Sequence, residues 1–332
     1  MKYLKQSLFI LLVSTLWSCD NEVNINADFE EVTVIYGLLD QNADTQFVKV
    51  NKTFLDNEKN ALDLANDPNR LFYDSLTVSL IEESSGNETF LNPIEIPKKP
   101  GVFTNEKNTV YFTDQKINPN KNYSLKVIKP DSSITFGRTR TVDTIYVERP
   151  NPNIVQTNRV AFVDRNGSIQ RYRFEFQTGN NVAEFEVILY FKFTEIIGGD
   201  SIPRRVRIPL TKKTNPTLES FKTFQFNFDG LQFFRAIENQ VPAAINPSKK
   251  VISNDKNFDI EIFAADEDYS FYRELNGPID GLAQTRPEYT NITDGYGVFA
   301  SRLSMIAPSQ INDDTRIYLV TKYKDTRNFS FP

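Results

Sequence analysis

Asp266-Glu267-Asp268 is the one run of three acidic residues in this chain. Acids gathered in this way can ligate a hard cation such as Ca²⁺. Two acids facing one cleft can hydrolyse a glycosidic bond. Other routes are closed by composition. The chain has no histidine, so a Ser-His-Asp triad cannot be assembled. Its one cysteine, Cys19, leaves no disulfide and, without histidine, no ordinary zinc site. A lysine-based mechanism stays open, but no spacing singles out a lysine or a pair of acids. Asp266, Glu267 and Asp268 lack the alternating acids and central Gly of an EF-hand loop. Their plainer reading is a helix start, where the backbone dipole favours negative charge. No catalytic residue and no cofactor is therefore assigned, and the three acids are kept only as a Ca²⁺ alternative.

Cys19 carries a different chemistry. Lys2 and Lys5 give a basic start, and Leu8 to Val13 form an apolar run. The segment is too short to span a bilayer, which takes about 20 apolar residues, and has the layout of an export signal. Leu16-Trp17-Ser18-Cys19 resembles a lipobox, which implies cleavage between Ser18 and Cys19 and a diacylglycerol on the thiol. Trp17 is larger than the residue usual at its position. Stable anchoring takes more than one acyl chain, and a diacylglyceryl cysteine that is also N-acylated, typically with palmitate, supplies them. The expectation is a signal peptide over 1–18 and a lipid anchor in the cell envelope.

Without residues 1–18 the chain has 314 residues, 36 of them basic and 43 acidic, a formal charge of −7. An acidic chain is a poor candidate for nucleic acid, whose binders carry basic patches. Arg204-Arg205-Val206-Arg207 reads as the solvated face of a strand. An exported chain without disulfides must be held by its core, and 27 Phe with 14 Tyr supply the material.

The elements that would position any site are strands. Residues 19–30 are polar and aperiodic and read as a flexible tether. Glu31 to Leu39 and Gln46 to Asn51 flank the turn cluster Asp40–Asp44 and predict a hairpin. Residues 54–73 leave the sheet: Asn60 suits an N-cap, Ala61–Asn66 a short helix, and Pro68 a stop. Further strands are read at 76–81, 88–91, 109–112, 123–128, 134–139 and 144–147. About eight short strands at this spacing predict an immunoglobulin-like β-sandwich over 31–148. Arg149-Pro150-Asn151-Pro152-Asn153 marks a linker, taken as 149–155. A second β-rich domain with two short helices is expected over 156–332. There Tyr172, Phe174 and Phe176 alternate with Arg173, Glu175 and Gln177. Phe185, Val187 and Leu189 share a face while Ile188 and Tyr190 make the other face apolar too. Helices are expected after Asp229-Gly230 and after Asp266-Glu267-Asp268. Asp313-Asp314 is read as a turn before a last strand, Arg316 to Tyr323. The fold class is all-β.

Val34-Ile35-Tyr36-Gly37-Leu38-Leu39-Asp40, Gln46 to Leu55, and Tyr289-Thr290-Asn291-Ile292-Thr293-Asp294-Gly295-Tyr296-Gly297-Val298-Phe299 resemble segments of a Bacteroidota cell-envelope lipoprotein family of unknown function. The resemblance implies association with a TonB-dependent outer-membrane transporter and no transferable catalysis. Gly295 and Gly297 are read as turning the backbone before a closing strand. The same likeness marks Ser75, Thr144 and Ser201, each after an Asp, as candidate O-glycosylation acceptors. The function expected is a non-catalytic binding or accessory module for an outer-membrane partner. The alternatives are a carboxylate-based glycan hydrolase and a structural or adhesive surface lipoprotein.

Overall fold

In a computed structural model, residues 31–53, 61–154, 157–243, 248–277 and 289–332 are described. The lipobox, the tether and Asn60 lie outside them. The chain is mostly strand, 48% against 16% helix, in an all-β sandwich arrangement. The expected hairpin forms: β1 (Thr33–Asp40) runs antiparallel to β2 (Gln46–Lys52). Then come two short helices, α1 (Ala61–Ala65) and α2 (Pro68–Leu71). α1 ends ahead of Asp67-Pro68, as read, and Pro68 has a second role. It begins α2, at a position where its missing N–H costs nothing, and Asp67 caps that helix through the Asn69 N–H.

The remaining strands of the first half are β3 (Thr77–Glu82), β4 (Asn87–Phe90), β5 (Asn92–Glu95), β6 (Thr109–Thr113), β7 (Asn122–Ile128), β8 (Ile134–Arg140) and β9 (Ile145–Arg149). After them follow β10 (Arg159–Val160), β11 (Arg171–Thr178), β12 (Glu184–Ile197), β13 (Asp200–Thr214) and β14 (Thr223–Asp229). Helix α3 (Gly230–Gln240) begins at the cap Asp229, as its sequence predicts. Next are β15 (Lys249–Val251), β16 (Phe258–Ala265) and α4 (Glu267–Asn276). The chain ends with β17 (Ile292–Thr293), β18 (Gly295–Ile311), α5 (Asp313–Lys322), α6 (Lys324–Arg327) and β19 (Phe329–Ser330).

One sheet of 11 strands runs through both halves in the order β19-β15-β12-β16-β18-β1-β2-β6-β5, with β13 on β12 and β10 on β18. Its first-half end faces a five-stranded sheet, β17-β8-β7-β3-β4. Ile35, Val48, Leu80, Leu125 and Phe299 are buried in the cluster between them. Its other end faces the three-stranded sheet β14-β11-β9. Phe174 and Phe176 of β11 meet Phe185, Val187 and Leu189 of β12 in that core. The inward and outward faces of β11 are those its alternation predicts. Ile188 and Tyr190 are buried on the other face of β12, so the strand is covered on both sides as expected.

The division expected at 149–155 is not where the sheets part. β9 belongs to the three-stranded sheet of the second half. Conversely, β17 pairs with β8, and β18 pairs with β1 in parallel, Thr33 facing Gly295 and Asp40 facing Arg302. From Arg302 onward β18 pairs antiparallel with β16. The first sandwich is thus completed by the end of the chain. Edge strands seek partners by backbone hydrogen bonding, which local sequence does not reveal.

The last expected strand is also corrected. Residues 313–322 form α5, because the Asn312 side chain accepts the Thr315 N–H and Asp313 and Asp314 fill the first turn. Thr315, Leu319 and Tyr323 are buried, a four-residue period that belongs to a helix.

Candidate ligand-binding cleft

The sequence-predicted acids come first. Asp266 is 2% exposed and caps α4. Its Oδ1 accepts the Tyr269 N–H at 2.9 Å. Its Oδ2 accepts the Ser301 N–H at 2.7 Å and the Thr139 hydroxyl at 2.6 Å. Asp268 accepts the Tyr289 hydroxyl, and Glu267 is exposed. The three therefore do not converge, and no group of three such side chains suited to a metal exists among the described residues. Asp266 instead ties β8, β18 and α4 together where the two sandwiches meet.

Burial pushes the Asp266 carboxyl up to about 7, against the three hydrogen bonds that favour its ionised form. An unfolded aspartate titrates near 3.9, so between about pH 4 and 7 the folded state holds the extra proton. Stability contributed by this group then falls as pH rises through that window. Urea midpoints of wild type and Asp266→Asn, compared from pH 4.5 to 7.5, test this. The wild type should lose stability with pH more steeply than the variant, and parallel profiles would refute the assignment.

Of the candidate glycosylation acceptors, Ser75 is exposed ahead of β3 and Ser201 is exposed at the start of β13. Thr144 is half-buried, and its carbonyl accepts the Gly179 N–H at 2.8 Å.

A cleft of about 510 Å³ lies elsewhere, on the outer face of β1 and β2. Strand alternation turns Val34 and Tyr36 outward from β1, and Lys49 and Asn51 outward from β2. The excursion after β2 brings α2 back over the sheet, where Asn51 Nδ2 donates to the Leu71 carbonyl at 3.3 Å. The segment between β5 and β6 closes the other side, held by the Thr104 N–H on the Ala65 carbonyl at 2.9 Å. Leu71, Phe72 and Phe103 form apolar walls.

Lysines line this apolar space. Lys49 Nζ and Lys107 Nζ stand 5.8 and 5.9 Å from the centre of the same Phe72 ring. Lys98 Nζ stands 5.2 Å from that of Phe103. Such contacts give partial compensation to a cation. Their hydrogen-bond acceptors are neutral: Asn108 Oδ1 for Lys49 at 2.9 Å, and the carbonyls of Phe103 and Tyr73 for Lys98 and Lys107. Among the described residues only Lys52, on the rim, has a carboxylate partner, Glu31 at 3.4 Å. Burial and then the neighbouring Lys98 charge lower the Lys49 pKa.

A second cleft of about 400 Å³ also carries cations, and two of them are matched. Lys192 pairs with Asp259 at 2.8 Å and Arg204 with Glu195 at 2.9 Å. Arg205 stacks 4.4 Å from the Tyr190 ring centre. Glu184 and Glu186 share a depression of only about 130 Å³, where Glu184 pairs with Arg273 and Lys212. Ligand sites usually span about 300–1,000 Å³. The larger cleft over β1 and β2 is thus the strongest candidate, and the sequence reading missed it. Its residues are scattered through the first half of the chain, and the one available signal was the helical excursion at 54–73.

No known protein family matches the chain, and no curated protein matches it.

Proposed function

We propose that this chain is a lipid-anchored envelope protein that acts as a non-catalytic binding or accessory module for an outer-membrane partner. The lipobox-like Leu16–Cys19 and the resemblance to Bacteroidota envelope lipoproteins support the location, and the same resemblance supports a TonB-dependent transporter as partner. The observation that carries the binding role is the cleft over β1 and β2, lined by aromatic rings and by Lys49 and Lys98, which have no carboxylate partner among the described residues. Neither large cleft is lined by an acidic residue among the described ones, so neither offers the paired carboxylates of a glycosidase.

Affinity purification of the full-length chain from solubilised envelopes, followed by mass spectrometry, tests the reading. One outer-membrane transporter in near-equal amount is the expected outcome, and Cys19→Ala should release the protein from the membrane fraction. Turnover of a defined glycan that vanishes on a single carboxylate substitution would overturn it.

A further inference from the structure

We propose that the cleft over β1 and β2 takes an amphipathic anion, its acidic head shared by Lys49 and Lys98 and its apolar body laid against Tyr36 and Phe103. This rests on the binding role proposed above and specifies its ligand chemistry.

The argument begins with charge. A lysine normally keeps its ammonium in water while its stem covers apolar surface. Here the ammoniums of Lys49 and Lys98, which line the cleft, and of Lys107 beside it lie over two phenyl rings, and each hydrogen bond they make among the described residues goes to a neutral acceptor. Like charges held together in a partly desolvated place repel, because the local dielectric is below that of water. The depressed Lys49 pKa reports the same strain. A carboxylate, sulfate or phosphate would relieve it and could accept charge-assisted hydrogen bonds. Lys192 and Arg204 of the second cleft, each paired with a carboxylate, have no such need.

The walls then limit what carries the anion. A bare inorganic ion would leave the exposed rings of Tyr36 and Phe103 wet. The cleft has the volume of a small-molecule site, not of an ion site. An uncharged apolar body would cover those walls but leave the ammoniums unmatched. Only a molecule with both parts satisfies the whole surface. An acyl chain and an aromatic ring would each serve as the body.

Isothermal titration of the full-length chain tests this, with naphthalene-2-carboxylate, octanoate and the uncharged 2-naphthalenemethanol as probes. At least one carboxylate should bind at a single site, and naphthalene-2-carboxylate should exceed the alcohol by tenfold or more. Which carboxylate binds more tightly tells an aromatic ligand source from an acyl one. Binding should weaken with salt, and by tenfold or more in the Lys49→Gln/Lys98→Gln variant. That variant should melt no lower than wild type, since repulsion is relieved, while Lys322→Gln should bind normally. Equal binding of naphthalene-2-carboxylate and the alcohol, untouched by the lysine substitutions, would overturn the anion and leave a binding cleft. No binding of any probe would overturn the cleft itself.

Discussion

Phe299→Ala should lower the unfolding free energy by about 3–5 kcal/mol, the usual cost of emptying a phenylalanine site in a core. Phe299 is fully buried and lies where the first sandwich closes. A Cβ on Gly37 of β1 would stand 2.8 Å from the Phe299 ring, and one on Gly137 of β8 would stand 2.7 Å from the Phe299 Cβ. The ring thus occupies room that two glycines leave on facing sheets. Its backbone is fixed as well: Asn291 accepts the Phe299 N–H at 2.9 Å and donates to the Phe299 carbonyl at 2.7 Å. Gly297 stands two residues earlier at φ +108, and a Cβ there would lie 2.0 Å from the Ile35 carbonyl oxygen. Gly297→Ala should therefore break the β1–β18 ladder at least as severely as Phe299→Ala empties the core. Because β18 also pairs with β16, the loss should appear as one shifted transition in urea unfolding followed by circular dichroism. A Phe299→Ala cost under about 1 kcal/mol would show that this closure contributes little.

The same segment shows what sequence makes legible. Alternation placed β11 and β12 with their buried faces, because a strand's period is a local property. Helix starts near Asp229 and Asp266 were readable, because acidic residues at a helix start are a local signal too. Gly295 and Gly297 were read as turning the backbone before a closing strand; they lie instead within that strand, β18, where a Cβ on either would crowd β1. The partner was not readable: a parallel ladder between β1 and β18 joins opposite ends of the chain, and either strand's pattern would suit many neighbours. Residues 313–322 misled for another reason. Ile317-Tyr318-Leu319-Val320 has the composition of a strand, and the Asn312 cap with tertiary burial of Leu319 decided for a helix. The cleft was invisible because its lysines come from β2 and a connecting segment, brought together only by the return of α2.

Glu195→Gln should cost about 3–5 kcal/mol, as expected when a buried ion pair loses one charge. Lys250 of β15 is 1% exposed and lies directly opposite Glu195 of β12. Its Nζ is 3.6 Å from Glu195 Oε1, and its one other polar partner among the described residues is Ser248 Oγ at 3.3 Å. Glu195 also accepts from Arg204, whose side chain is 49% exposed. Arg204→Ala should then cost only about 0–1 kcal/mol, as exposed pairs do. Removing the carboxylate strands the buried ammonium, whereas removing Arg204 leaves Glu195 still paired with Lys250. The double variant Glu195→Gln/Lys250→Met should recover most of the loss, since well-packed apolar side chains often replace a buried pair at no net cost. If Glu195→Gln and Arg204→Ala cost the same in urea unfolding, the Lys250 ammonium is not held by Glu195. If Lys250→Met fails to rescue, burial of the charge is not the source of the penalty. Expected instead is a steep single loss and a shallow double one, which is how an uncompensated charge differs from a lost contact.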